Sequence, residues 1–204
     1  MSKIKICGLM REQDIDFVNE SMPDFIGFVF AKSKRTVSFE TASKLKSRLS
    51  AKIKTVGVFV NDDIENIVRL CNAGIIDLIQ LHGGENEEYI LKLKEKIFNP
   101  VIKAVKIGQP PYEPSLLKQI AAIGKEDFTL YDSGAGSGKT FDWDLIKNIK
   151  TPYFLAGGIN IENISFAIKK LNPFCIDISG GVETDGKKDL KKIRDIIRAA
   201  RIIT

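Results

Sequence analysis

Cys7 and Asp132 each stand where a strand-like run ends. Lys3-Ile4-Lys5-Ile6-Cys7 alternates polar and apolar residues and stops at Gly8-Leu9. Phe128-Thr129-Leu130-Tyr131 stops at Asp132 and opens into a glycine-rich loop. A thiol and a carboxyl brought to one pocket can act as an acid–base pair. A free thiol has a pKa near ~8.5, so it needs a nearby cation or helix N-terminus to serve as a base at neutral pH. Lys5 shares the strand face of Cys7, one step deeper. The competing reading of Cys7 is a buried structural residue. Asp177, close to the end of another strand, is either a second carboxylate for the same rim or a brace for loop N–H groups. Cys71, in a helical segment, and Cys175, at a strand start, read as structural.

Other residues could bind rather than react. Gln80 and His82 close the run Ile79-Gln80-Leu81-His82-Gly83, and strand alternation puts both on one face. His82 reads either as pocket lining or as a satisfied strand-end donor. Arg35, in Ala31-Lys32-Ser33-Lys34-Arg35-Thr36-Val37, carries a planar fork that suits a carboxylate, or else is a solvated loop charge. Gly157-Gly158 and Ser179-Gly180-Gly181 follow the seventh and eighth strand-like runs, where glycine lets the main chain approach a phosphate. Tight turns without a ligand are the alternative. The stretch Ser133-Gly134-Ala135-Gly136-Ser137-Gly138-Lys139-Thr140 is not a P-loop, because serine stands where the first glycine belongs. It reads as a flexible loop that closes over the pocket, with Trp143 packing on the wall beyond it.

These residues need a frame that brings strand ends together. Eight apolar, β-branched runs are legible: Lys3–Cys7, Phe25–Phe30, Lys54–Val60, Ile76–Leu81, Val101–Val105, Phe128–Asp132, Tyr153–Ala156 and Cys175–Ile178. Continuous apolarity suits strands covered on both faces. Each is followed by a segment of helical periodicity, with N-caps at Ser38 and in Asn61-Asp62-Asp63, and a closing glycine at Gly74. Asp189 to Arg201 carries the stripe Leu190, Ile193, Ile196, Ile197. The alternation predicts an α/β protein: a single (β/α)8 barrel of near-minimal length over residues 1–204, with roughly 25 residues per unit. An open doubly wound sheet is the runner-up, but no G-x-G-x-x-G follows the first strand.

Composition narrows the function classes. With 44% apolar and 28% charged residues the chain is ordinary for a globular domain. No apolar run approaches the ~20 residues that span a bilayer, and no signal-peptide core is visible, so a cytoplasmic location without a membrane partner is expected. Three cysteines at unrelated spacings and one histidine predict neither a disulfide framework nor a metal site. The net charge of +5 suits an anionic small substrate. Its densest cluster, Lys187-Lys188 with Lys191-Lys192 and Arg194, reads as a solvated helix face, and no nucleic-acid partner is expected.

Taken in order, KICGL at 5–9, FVFAKSKRTVS at 28–38, VGVFVN at 56–61, QLHG at 80–83, LYDS at 130–133, GSGKTFDW at 136–143, LAGGI at 155–159 and DISGGVE at 177–183 resemble the phosphoribosylanthranilate isomerases of tryptophan biosynthesis. The resemblance covers essentially the whole chain. It implies an Amadori rearrangement of N-(5-phosphoribosyl)anthranilate to 1-(2-carboxyphenylamino)-1-deoxyribulose 5-phosphate, without a cofactor, in a monomer or homodimer. It implies Cys7 as general base, Asp132 as general acid and Arg35 for the substrate carboxylate. Gly157, Gly158, Ser179 and Gly180 would hold the phosphate, with Gln80, His82 and Asp177 lining the pocket. The family commonly has a second serine where this chain has Gly180, so a hydroxyl contact is lost there while a backbone contact survives. Indole-glycerol-phosphate synthase is expected to use a lysine and glutamates. The histidine-pathway isomerase is expected to pair two aspartates, one of them where this chain has Cys7. A non-catalytic barrel that binds a phosphorylated ligand is the rival from another class.

Overall fold

The computed structural model describes residues 1–121, 124–134 and 138–202. Eight parallel strands close into a barrel in sequence order: β1 (Lys3–Cys7), β2 (Phe25–Val29), β3 (Lys54–Phe59), β4 (Leu78–Leu81), β5 (Val101–Lys106), β6 (Phe128–Asp132), β7 (Tyr153–Leu155) and β8 (Cys175–Ile178). Closure is made by β1 against β8, with Lys3 opposite Cys175 and Lys5 opposite Asp177. The barrel expected from the alternation is therefore the fold. The strand period divides each run between two compartments. Ile4 and Ile6 of β1, with Ile26 and Phe28 of β2, face the helices, whereas Val56, Leu78, Ile102, Leu130, Phe154 and Cys175 fill the barrel itself. Its lower end is closed by rings: Phe25 and Phe128 each meet Phe154, at 5.8 and 5.5 Å between centroids, and Phe128 stacks on Phe174 at 5.0 Å.

The outer layer holds α1 (Glu12–Ser21), α2 (Phe39–Arg48), α3 (Ile64–Asn72), α4 (Glu87–Lys94), α5 (Pro114–Ala121), α6 (Ile164–Leu171) and α7 (Leu190–Arg201). Ser38 caps α2 by accepting from Thr41 N–H, and Asp63 caps α3 by accepting from Glu65 N–H. On α7 the buried residues Ile193, Ile196, Ile197 and Ala200 follow the helical period.

Two expectations need correction. No α-helix follows β6; a single 3-10 turn at Trp143–Leu145 takes its place among the described residues. Only nine residues separate the Asp142 cap from Pro152, too few for a full helix and its return turn. Phe141, Trp143 and Ile146 fill the gap instead, and Trp143 stacks on Phe166 of α6 at 5.9 Å. The loop expected to close over the pocket lies partly outside the described residues, at 135–137.

Second, β4 begins at Leu78 rather than Ile76. Asp77 is why: its carboxylate accepts from Thr55 N–H at 2.8 Å and from Lys46 Nζ at 2.9 Å, pinning the chain below the ladder. Burial pushes that carboxyl up, but the Thr55 and Lys46 donors outweigh it and hold the pKa at about 2. A depressed folded-state value adds stability that is present above the ordinary ~3.9 and lost as pH falls towards about 2. The Asp77 side chain is 28% exposed, so the full shift is discounted for solvent. Asp77→Asn should cost roughly 1–2 kcal/mol in urea unfolding at pH 7. The deficit should shrink at pH 3; an equal deficit at both values would remove the carboxylate charge from the account.

Candidate active site

Strand alternation in β1 turns Lys5 and Cys7 into the barrel, and the register with β8 brings Asp177 beside them. Lys5 is fully buried. Its ammonium donates to Asp177 Oδ2 at 2.8 Å and to Gln80 Oε1 at 2.9 Å, and its charge acts on the Cys7 thiol, two residues along the same strand face. An ammonium has donors only, so it fixes which end of the Gln80 amide faces it. Gln80 Nε2 must then donate to His82 Nδ1, 2.9 Å away. This leaves the proton of a neutral His82 ring on Nε2, which lies 3.1 Å from Asp132 Oδ2. Gly134 N–H donates to the other Asp132 oxygen. A continuous polar chain thus runs from Lys5 through Gln80 and His82 to Asp132, with Cys7 beside its Lys5 end. Every member except Lys5 was singled out in the sequence as catalytic or substrate-binding, and Lys5 as the cation beneath Cys7.

The sulfur sits in a made-to-measure gap. A Cβ at Gly27 on β2 would lie 2.6 Å from Cys7 Sγ, so glycine there is a packing requirement. Ser179 Oγ donates to the Cys7 carbonyl at 3.1 Å, tying the end of β1 to the loop after β8. Burial pushes the Cys7 thiol up; Lys5 and Lys188 pull it down, while Asp177 adds to the rise. The net direction is upward, so the resting group at neutral pH is the thiol. Burial also works against the Lys5 ammonium, but the Asp177 carboxylate overrides it and holds the lysine charged. Cys71 and Cys175 are likewise pushed up by burial, Cys71 to about 11, and Cys175 lies in the apolar filling of the barrel.

Around this floor the loops stack backbone on backbone. Gly157 and Gly158 both take positive φ, and Gly157 packs against Ser133 so closely that no side chain fits. Gly181 packs in the same way on Ile159, joining the loops after β7 and β8. Ser179 precedes the 3-10 turn Gly180–Val182. Both expected phosphate loops therefore lie side by side on the rim that carries Cys7. Asp177 Oδ1 and Ser133 Oγ are buried with no partner among the described residues.

At Arg35 and Lys188 the structure departs from expectation. Arg35 does not present an empty fork: Nε and Nη2 donate to the two oxygens of Glu183, each at 2.7 Å. Lys188 is not on a solvated helix face but on β10 (Lys187–Lys188) of a two-stranded ribbon with β9 (Glu183–Thr184), and it is 4% exposed. Its ammonium donates to Glu183 Oε1 at 2.7 Å and to the Ser179 carbonyl at 3.0 Å. The overlooked signal is Asp185-Gly186, both at positive φ, the pair that a tight hairpin between two short strands requires. Among the described residues no group of three metal-ligating side chains exists, and no helix is long and apolar enough to cross a membrane.

Comparison with known proteins agrees with this geometry. The N-(5'-phosphoribosyl)anthranilate isomerase family profile matches residues 4–199. An N-(5'-phosphoribosyl)anthranilate isomerase of Endomicrobium trichonymphae is 53% identical over 98% of this chain and 99% of its own. The crystal structure of the Thermotoga maritima phosphoribosyl anthranilate isomerase aligns with a TM-score of 0.84 at 38% identity, covering 98% of this chain and 99% of that one. A phosphoribosyl anthranilate isomerase structure in complex with reduced 1-(o-carboxyphenylamino)-1-deoxyribulose 5-phosphate aligns at 0.82 and 36% identity over 98% and 99% of the two chains. A full-length profile match, close relatives and a shared barrel place this chain in the N-(5'-phosphoribosyl)anthranilate isomerase family.

Proposed function

We propose that this chain catalyses the Amadori rearrangement of N-(5-phosphoribosyl)anthranilate to 1-(2-carboxyphenylamino)-1-deoxyribulose 5-phosphate in tryptophan biosynthesis, with Asp132 as general acid and Cys7 as general base. The observation that carries the assignment of roles is the polar chain Lys5–Gln80–His82–Asp132, which starts beside Cys7 and ends on Asp132 at one mouth. Asp132 gives its proton to the furanose ring oxygen, the C1′–O bond breaks, and the substrate nitrogen becomes an iminium. The carboxylate left behind is received by His82 Nε2–H and Gly134 N–H. Cys7, its own proton first lost to solvent, then removes as a thiolate the C2′ proton that the iminium has acidified. The electron pair moves into the C1′–C2′ bond and on to nitrogen, giving an enolamine. Protonation at C1′ and loss of the O2′ proton complete the ketone, so the reaction is proton-neutral overall. No cofactor enters, because the substrate nitrogen is the electron sink.

The loops at Gly157-Gly158 and Ser179-Gly180 hold the phosphate through backbone N–H groups, and Arg35 meets the carboxylate at the other end of the substrate. Fixing both ends leaves the sugar between acid and base. Gln80 and Asp177 act on the floor of this site, through Lys5. The reading carries with it a cytoplasmic monomer or homodimer with no nucleic-acid partner. A barrel that only binds such a ligand would show affinity without turnover.

Cys7→Ser should lose about 100-fold or more in kcat, with thermal unfolding unchanged. Turnover near that of the parent would take Cys7 out of the mechanism. Asp132→Asn should lose kcat on a similar scale, about 100-fold or more; if turnover survives, the acid is another group, with Asp177 the next to test. Arg35→Ala should chiefly raise KM, read by the loss of anthranilate-type fluorescence as substrate is consumed. An unaltered KM would leave the carboxylate without its assigned partner.

A further inference from the structure

We propose that Glu183 is a positioning residue for this reaction: with Lys188 it clamps the Arg35 guanidinium against the end of β1 and leaves one edge of it for the substrate carboxylate. The proposal rests on the Arg35 reading given above and adds the group that makes Arg35 selective. Three observations carry it. Glu183 takes Arg35 Nε and Nη2 in a bidentate pair, an arrangement that fixes a fork in direction as well as in place. No described residue takes Nη1, so the Nη1–Nη2 edge stays free for a second carboxylate. On the opposite flank, Arg35 lies so close over Gly8 that a Cβ there would overlap its Cδ. The guanidinium is thus held between the residue after Cys7 and the loop after β8.

The carboxylate is an anchor rather than a placeholder that the substrate displaces. Glu183 and Lys188 side chains are 7% and 1% exposed, and they sit opposite each other in the ribbon register. Swinging Glu183 away would strip the buried Lys188 ammonium of its only carboxylate among the described residues. Two cations on one carboxylate leave a single positive charge at this rim. That charge matches one anionic group on the aromatic end of the substrate. Arg11 braces the same ribbon through Nη2 to the Lys188 carbonyl at 3.1 Å.

The test is steady-state kinetics on the full chain with two substrates: N-(5-phosphoribosyl)anthranilate and its analogue without the carboxylate, N-(5-phosphoribosyl)aniline. Glu183→Gln should raise KM for the first by about tenfold or more and leave kcat within about threefold. With the aniline analogue, parent and variant should share one kcat/KM. An unchanged or lowered KM, or an equal loss on both substrates, overturns the proposal; a lowered KM would make Glu183 a competitor for the carboxylate site. Arg35→Ala, run alongside, separates the two layers. If it leaves KM unchanged the Arg35 reading itself fails, whereas a raised KM with Glu183→Gln inert removes only the clamp. Should Glu183→Gln lose its thermal unfolding transition, Glu183→Asp decides by the same criteria, because it keeps the charge and withdraws it by one methylene.

Discussion

A fully buried ammonium is the constraint from which the rest of this structure follows. An unpaired charge in the barrel interior would be far too costly, so Lys5 requires a carboxylate and a further acceptor in fixed positions. Asp177 and Gln80 supply them from β8 and β4. The β1–β8 register places the first, and the Lys5 ammonium dictates the direction of the Gln80 amide. His82 then has one arrangement open to it, and its far nitrogen falls on Asp132. A single interior lysine thereby orients a row of groups contributed by four different strands, and it places a positive charge below the sulfur that the chemistry asks to become anionic. Replacing the Lys5–Asp177 pair by apolar residues could leave the barrel standing, but the row would lose its direction.

A second set of charges works from above. Arg35, Glu183 and Lys188 come from the loop after β2 and from the ribbon after β8, and they meet over the end of β1. The two sets enclose Cys7 between cations, with Asp177 and Glu183 balancing them. Burial keeps the sulfur neutral at rest, while Lys5 and Lys188 favour its anion.

The barrel was readable because its strands are short, apolar on both faces and separated by capped helical segments. The strand ends carried Cys7, Asp132, Gln80, His82 and Asp177, and each is found at the mouth or just beneath it. What the sequence hid was contact between distant segments. Lys5 and Asp177 are 172 positions apart, and nothing in either segment marks the pairing until closure makes β1 the neighbour of β8. Lys188 was misread because it stands in a run of lysines that does belong to a solvated helix from Lys191 onward. Only the Asp189 N-cap and Leu190 separate it from them. The absent helix after β6 was obscured by Phe141, Trp143, Ile146 and Ile149, whose spacing fits a helical period but whose segment is too short to use it.

The ring of phenylalanines at the base of the barrel has a consequence for traffic. With Phe25, Phe128, Phe154 and Phe174 closing one end, the interior is a cul-de-sac whose mouth is the loop side. A ligand seated across that entrance would stopper it. The lysine, the glutamine and the sulfur would then share a fixed inventory of hydrogens until the ligand departs, sealed from exchange with bulk solvent by the same molecule on which they act.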